Sequence, residues 1–471
     1  MNVEHIIITM ISWWRSGFCG RICTMNLKNN FPEPPRPQAT GRYIVKFAPG
    51  IEAARAQTLI ADKTGIRTLD LRETGDAPLP APDADAPEGG LVVDRFKVAI
   101  IHPQQDVGAR VASLAAEDGV IVRPEFYLFA VGELEQRYAA WVREGLSILV
   151  NGYPGATGAP TAAAAAAEMA AAEAAAHADT DEFTWGLQAI RALGTAQTGK
   201  GIKVAVLDTG LDFEHPDFVG RTIVSRSFVP DGSVQDVQGH GTHTAGTLAG
   251  PAKSAIGRRY GVAPDVDLYI GKVLDDRGAG TEGDILRGMN WAIDQGCTVI
   301  SMSLGRPTQP DEPHDPTYEE AGLAALDEDC LIIAAAGNDN TRAFGYIAPI
   351  GAPANSPSIM AVGAVDPKLK VAPFSCGAVN ADGSKLDIAG PGTAVYSAFP
   401  RPRLSRVLPG TSMACPHVAG VAALLASANP SLRGRRLWNA LIAASRPIGP
   451  ARDYGSGLVQ GPGTVIVATV P

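Results

Sequence analysis

Five short apolar runs punctuate the second half of the chain, at residues 202–207, 268–274, 298–302, 331–336 and 359–365. Their length suits strands, and none alternates between apolar and polar positions. A strand that is apolar throughout has both faces covered, the condition of a parallel sheet with helices on each side. Between the second and third runs, Ile285, Leu286, Met289, Ala292 and Ile293 recur at helical spacing and give one apolar helix face. The expected fold class is therefore α/β, a mostly parallel sheet with helices on both faces, over residues 183–465. In such sheets functional groups gather beyond the carboxyl ends of the strands.

The first part of the chain reads differently. Residues 43–47 form a strand closed by Pro49-Gly50, residues 51–64 a helix ending before Gly65, and residues 75–90 a loop rich in Pro, Asp and Ala. A second strand is expected at 91–101, a second helix at 106–117 and a further strand at 120–130. Together these make a small α+β domain, residues 41–132. Residues 1–40 read as a tail. Residues 133–182 read as a linker, because the alanines of 162–176 favour helix but bury little.

Composition narrows the classes. A chain of 471 residues is too long for one core, and 45 % hydrophobic with 19 % charged residues is globular. A net charge of −9 argues against a nucleic-acid partner, so Arg401-Pro402-Arg403 and the arginines at 433, 435 and 436 read as surface. The six cysteines (Cys19, Cys23, Cys297, Cys330, Cys376, Cys415) contain no Cys-x-x-Cys pair, so no zinc site is expected. Cys297 and Cys330 open apolar runs and read as buried thiols. Residues 6–14 are apolar but too short to span a bilayer, and no other run is read as long enough, so no membrane partner is expected.

Four polar residues stand where chemistry could sit. Asp208 follows Val204-Ala205-Val206-Leu207 and precedes Thr209-Gly210. A carboxylate there can cap a turn, bind a ribose hydroxyl or orient a histidine. The ribose reading needs a Gly-rich turn after a strand, whereas Thr198-Gly199-Lys200-Gly201 precedes the strand, which also removes a P-loop. His240 opens His240-Gly241-Thr242-His243-Thr244-Ala245-Gly246 and is either structural or held at a cleft; His243, one turn on, reads as structural. The glutamate of a zincin motif is missing, so no metal site is assigned. Ser412, in Gly410-Thr411-Ser412-Met413-Ala414, either caps an apolar helix or places its Oγ where helix N–H groups stabilise negative charge. Ala414 separates the segment from the Gly-x-Ser-x-Gly elbow. Asn338 ends Ala336-Gly337-Asn338, as a turn residue or as an amide donor.

Together these segments resemble the signatures of the subtilisin-like (S8) peptidases, in the family's order Asp, His, Asn, Ser, over residues 183–462. The resemblance implies a serine endopeptidase with Ser412 as nucleophile, His240 as general base and Asp208 orienting it. It implies an oxyanion hole from the Asn338 side chain and the Ser412 backbone N–H. Gly278-Ala279-Gly280 and Ser303-Leu304-Gly305 would be the two edges that take substrate as an added strand. Gly337 and residues 351–352 would line an open, apolar P1 pocket. Glu282 and Asp284 fall where the family lines its P4 side, either as solvated loop charges or as a preference for basic or polar groups. A catalytically silent peptide-binding scaffold and an esterase are the rival readings.

Tyr43-Ile44-Val45-Lys46-Phe47-Ala48-Pro49-Gly50 resembles the first strand of an inhibitor I9-type propeptide, and Val122-Arg123-Pro124-Glu125 the run into its tail. That likeness implies a self-inhibited proenzyme whose residues 128–131 occupy the cleft, cut there or later in the linker. The implied partners are protein or peptide substrates and the chain's own propeptide. No cofactor is required. Asp217 matches a family calcium ligand, but its partner loop, residues 251–259, carries Lys253, Arg258 and Arg259 and neither Asn nor Asp, so that site is expected to be lost. Calcium elsewhere stays open. Residues 6–14 lack the basic flank of an export signal and Met25 begins a cleaner segment, which favours an intracellular enzyme over a secreted one and leaves the compartment open.

Overall fold

In the computed structural model the described residues are 37–74, 79, 88–103, 108–130, 177–230, 232–342 and 346–463. Most of the expected tail, nearly all of the linker, and Cys19 and Cys23 lie outside them.

The amino-terminal unit is built from β1 (Ala39–Phe47), α1 (Ala53–Thr64), β2 (Thr68–Asp70), β3 (Gly89–Val93), β4 (Val98–His102), α2 (Gly108–Ala115) and β5 (Val120–Ala130). Its strands lie in the order β5-β1-β4-β3-β2. Gly65, at φ 77°, closes α1 with a left-handed turn, as glycine permits. Alternation along the strands sorts the side chains to two faces. Val45, Phe47, Val92, Ala99 and Ile101 pack with Ala56, Leu59 and Ile60 of α1 and Leu114 of α2. Their neighbours Ile44, Leu91, Val93, Val98 and Ile100 join a different core, described below.

The expectation of one strand at 91–101 is corrected. That stretch is two antiparallel strands, Leu91 pairing with Ile100 and Val93 with Val98. A 3-10 turn, Asp94–Phe96, reverses the chain, and Lys97 sits at φ 49° with its N–H on Asp94 O at 3.1 Å. Three polar residues in a long apolar stretch marked the reversal, without either Gly or Pro to announce it. Gly89 and Gly90 belong to β3 and not to the preceding loop.

The second unit contains β6 (Lys203–Asp208), β7 (Val224–Ser227), α3 (His240–Ala249), β8 (Asp267–Lys272), β9 (Ala279–Thr281), α4 (Glu282–Asp294), β10 (Val299–Met302) and β11 (Leu304–Gly305). It continues with α5 (Pro316–Asp327), β12 (Leu331–Ala335), β13 (Met360–Val365), β14 (Ile388–Pro391), β15 (Val395–Ala398), β16 (Ser405–Leu408), α6 (Thr411–Ala428) and α7 (Gly434–Ala444). Seven strands form one sheet in the order β14-β13-β12-β10-β6-β8-β7. Every neighbouring pair in it is parallel.

The five apolar runs are β6, β8, β10, β12 and β13, and helices cover both faces. Val204, Val206, Ile333 and Val362 point into a core with Leu248 of α3 and Val418 and Val421 of α6. Ala205, Leu207, Ile300 and Ile332 point into the other, with Ile285 and Met289 of α4 and Tyr318 and Ala321 of α5. The second face of the amino-terminal sheet is buried in this same core. One expectation about length also changes: α6, with 18 residues and mean hydropathy 1.3, is long and apolar enough to cross a membrane, but 89 % of it is buried inside the fold. It is the central core helix.

Candidate active site

Asp208 is the last residue of the central strand β6, and His240 the first of α3. The imidazole Nδ1 lies 2.8 and 3.0 Å from the two Asp208 oxygens, with both side chains buried. Three further contacts hold the pair. Thr244 Oγ1, one turn along α3, donates to Asp208 Oδ2 at 3.0 Å, Thr209 N donates to Oδ1 at 2.8 Å, and Gly241 N donates to Thr209 Oγ1 at 2.8 Å. The close approach requires glycine on both sides: a Cβ on Gly241 would sit 2.3 Å from Gly210 O, and Gly210 has φ 105°.

Two residues that the sequence did not single out complete this end of the sheet. Asp236 is buried and accepts from Thr209 Oγ1, Gly239 N, Thr242 N and Thr242 Oγ1 at 2.7–2.9 Å, so one carboxylate ties the Asp208 loop to the start of α3. Lys272, the buried last residue of β8, donates to Thr209 O at 2.6 Å, Gln235 O at 3.2 Å and Asp276 Oδ1 at 2.7 Å. Asp236 stands four residues before His240, which was the available signal; Lys272 gave none within an apolar run.

Ser412 lies in the first turn of α6. Pro416 has no N–H to give the carbonyl four residues back, which is that of Ser412. Ser303 Oγ takes the vacancy and donates to Ser412 O at 2.7 Å, while Ser412 Oγ donates to Ser303 O at 3.2 Å. The serine is thus pinned to the start of β11. Asn338, three residues past β12, accepts on Oδ1 from Thr411 N and Thr411 Oγ1, both at 2.9 Å. Those two donors fix the amide and turn Nδ2 away from Thr411. Gly337, at φ 111°, donates its N–H to Thr411 Oγ1 at 3.2 Å. Since α3 and α6 pack side by side, the Asp208–His240 pair and the Ser412–Asn338 pair share one end of the sheet.

The strand edges meet in a shared feature. β5 runs antiparallel to β9, with Leu128 facing Gly280 and Phe129 facing Ala279, and antiparallel to β11, with Ala130 facing Leu304 and Phe129 facing Gly305. Ala130 N donates to Gly278 O at 2.8 Å. The amino-terminal unit therefore inserts its last strand between the two edges, and Leu128 is fully buried there.

Glu282 and Asp284 are not solvated loop charges. They occupy the first turn of α4 and are buried. Glu282 accepts from Phe126 N at 2.9 Å and from Arg123 Nη1 at 2.7 Å, and Asp284 N donates to the N-cap Thr281 Oγ1 at 3.2 Å. Arg123 also reaches Asp315, the N-cap of α5, at 2.5 Å. Glu125 closes the same junction: it pairs with Arg42 at 2.6 Å and accepts from Gly283 N at 2.8 Å, in the first turn of α4. A carboxylate at a helix N-terminus meets unsatisfied N–H groups and a favourable dipole.

Asp217 accepts from Ala255 N at 2.6 Å, Ser254 Oγ at 2.8 Å and Tyr260 Oη at 2.6 Å, so protein donors surround the carboxylate. This donor set does not fit a calcium ion. The thiols of Cys297, Cys330, Cys376 and Cys415 are buried and free. Burial pushes Cys415 up to about 11, and its Sγ points to Ile333 O at 3.3 Å.

His243 and His417 are enclosed. His243 Nε2 lies 3.1 Å from both Val395 O and Arg406 O, and His417 Nδ1 lies 2.7 Å from Met413 O. Burial lowers them to about 3 and about 4. An unfolded imidazole protonates near pH 6.5, so between that pH and about 4 the unfolded chain takes up protons that the fold refuses. These two histidines therefore cost stability as pH falls through this window, by up to about 2.7 kcal/mol per pH unit for two protons, while Asp339 and Asp387, whose carboxyls burial raises to about 6 and about 7, take up protons in the fold and offset that loss. Replacing His417 with Gln in a Ser412→Ala chain, spared self-digestion, should raise the melting point at pH 5 relative to that at pH 7, compared with Ser412→Ala itself; identical pH profiles would contradict it.

Comparison with known proteins gives a consistent picture. The model of the subtilase family matches residues 199–457. The chain is 41 % identical over 280 residues to Subtilisin Savinase of Lederbergia lenta, covering 59 % of this chain and 96 % of that protein. It is 42 % identical over 280 residues to the M-protease of Shouchella clausii (strain KSM-K16), covering 59 % of this chain and 68 % of that protein. It is 37 % identical over 290 residues to Subtilisin E of Bacillus subtilis (strain 168), covering 60 % and 72 %.

Proposed function

Since the chain belongs to the subtilase family and is a subtilisin-like serine endopeptidase, we propose that it cuts peptide bonds through Asp208, His240 and Ser412 and is made as a self-inhibited proenzyme. The observation that carries the first part is the buried carboxylate–imidazole contact at 2.8 Å, on the end of the sheet where Ser412 opens a core helix. Ser412 Oγ attacks the scissile carbonyl while His240 takes the proton, later delivering it to the leaving amine. Asp208 holds the Nδ1–H tautomer and stabilises the imidazolium. Asn338 Nδ2 and the Ser412 N–H receive the developing oxyanion; the two Thr411 donors on Oδ1 support this, since they preset the amide.

Substrate binds as a strand between Gly278-Ala279-Gly280 and Ser303-Leu304-Gly305, the positions that β5 now fills. The amino-terminal unit is the inhibitor, resembling an I9-type propeptide. Ala130 faces Leu304, which leaves Ser303 as the next position in register, so the maturation cut is expected directly after Val131. That residue and the linker, where a later cut would fall, lie outside the described residues. Leu128, fully buried opposite Gly280, supports an apolar P4 preference, with Glu282 anchoring the inhibitor and Asp284 held by Thr281 and Arg287 instead of selecting basic groups. Gly337 and residues 351–352 line P1. No cofactor enters the reaction, and Asp217 serves as a structural acceptor.

Incubating the purified chain with a fluorophosphonate and measuring intact mass tests this reading. Labelling at Ser412 on a chain that has lost its first 131 residues is expected; an active chain that stays intact would reject maturation by cleavage. A folded, processed chain that takes no label would favour a silent peptide-binding scaffold.

A further inference from the structure

Arg306 follows directly on β11. Its backbone exchanges two hydrogen bonds with Ala352, at 2.9 and 3.1 Å, and its guanidinium is buried, with Nη2 on Glu312 Oε1 at 2.8 Å and Nη1 on Pro307 O at 3.2 Å. The β5–β11 register pairs Ala130 with Leu304 and Phe129 with Gly305. The next step of that count sets Arg306 against Leu128. Residues two apart on a strand share a face, and diagonal neighbours lie within reach of long and aromatic side chains. Phe126 is that diagonal neighbour: the Arg306 guanidinium carbon lies 5.2 Å from its ring centroid.

The geometry points to Arg306 as a specificity-determining residue that takes an aromatic side chain at P6, two positions upstream of the residue facing Gly280, in substrates as in the inhibitory strand. The inference rests on the proposed substrate edges and on a cut after Val131, from which Phe126 counts as P6. Guanidinium N–H groups donate in the plane and the face stacks on rings. Glu312 and Pro307 O occupy in-plane donors, which holds the group in place over the Phe126 ring. An arginine held in this way lowers the ordering cost of each contact it makes.

The test uses the mature enzyme and internally quenched peptides that share one sequence and differ only at P6: Phe, Ala, cyclohexylalanine or pentafluorophenylalanine. Phe is expected to exceed Ala by about 2- to 30-fold in kcat/KM, mainly through KM, the range of a cation over an aromatic face. Cyclohexylalanine, of similar bulk, and pentafluorophenylalanine, with its ring polarity reversed, should both fall back towards Ala. In an Arg306→Gln enzyme the Phe-to-Ala ratio should approach one. Equal rates for Phe and Ala, equal rates for Phe and cyclohexylalanine, or a Phe preference that persists in Arg306→Gln would overturn the assignment. The fluorinated peptide needs no variant, so the outcome stands even if Arg306→Gln misfolds. Failure to cleave any of the peptides by enzyme that does take the fluorophosphonate would instead count against the proposed substrate edges.

Discussion

Replacing Ser412 with alanine should lower peptide hydrolysis by about 10⁶-fold and leave the full-length chain uncut. The magnitude is that of subtilisin itself, where loss of the nucleophile costs about 2 × 10⁶ in kcat; the geometry here supplies the reason that it should transfer. Alanine keeps the first turn of α6, its N–H and the Ser303 Oγ bond to the residue 412 carbonyl. It removes the hydroxyl and its 3.2 Å bond to Ser303 O, worth about 1 kcal/mol of stability. A large loss of activity with an almost unchanged melting point is therefore expected. Activity within a hundredfold of the parent, in a chain shown by mass to carry the substitution, would move the nucleophile elsewhere.

On the proposed reading of the amino-terminal unit as inhibitor, an Arg123→Ala chain should show self-inhibition weakened by about 150- to 5000-fold. Arg123 bridges Glu282 and Asp315 at 2.7 and 2.5 Å, and both carboxylates are buried at the starts of helices. Without it two charges face each other in a desolvated junction, and breaking such a buried pair costs about 3–5 kcal/mol, which is that range of affinity. Burial pushes the Glu282 carboxyl up and Arg123 is the largest influence holding it down. In the variant the joined units therefore hold a proton that the separated units do not. Lowering the pH favours the joined state, so inhibition should partly return in acid. The lag before peptidase activity appears, measured at several pH values, reads both effects. A lag equal to the parent's at every pH would show that the junction does not govern inhibition.

The parallel sheet was readable because each of its central strands is buried on both faces, and an apolar run of five to seven residues has few other fates. Asp208 and Asn338 stood out for a related reason, since each follows such a run, whereas His240 and Ser412 open helices and were read from their motifs. The 91–101 stretch was misread because Asp94–Phe96 turns the chain with no punctuating residue. Neither expectation for Glu282, a solvated loop charge or a preference for basic groups, anticipated its burial, because its partners, Arg123 and Phe126 N, lie more than 150 residues away. Lys272 shows the same limit: its acceptors Thr209 O and Gln235 O belong to distant segments, which no local pattern contains. The Ser303 hydroxyl that answers the carbonyl left open by Pro416 is likewise more than 100 residues away.

The amino-terminal sheet owns helices for only one of its two apolar faces; the other is covered by α4 and α5 of the peptidase. Once severed and released, that sheet would have to present Leu91, Val93, Val98 and Ile100 to water. It would open more readily than it did when docked, and an opened chain is what an endopeptidase digests. If the unit is the inhibitor proposed above, each copy that escapes would thus be destroyed by the enzyme it releases, and activation would run as a ratchet: slow for the first molecule, self-accelerating afterwards, and without a return path.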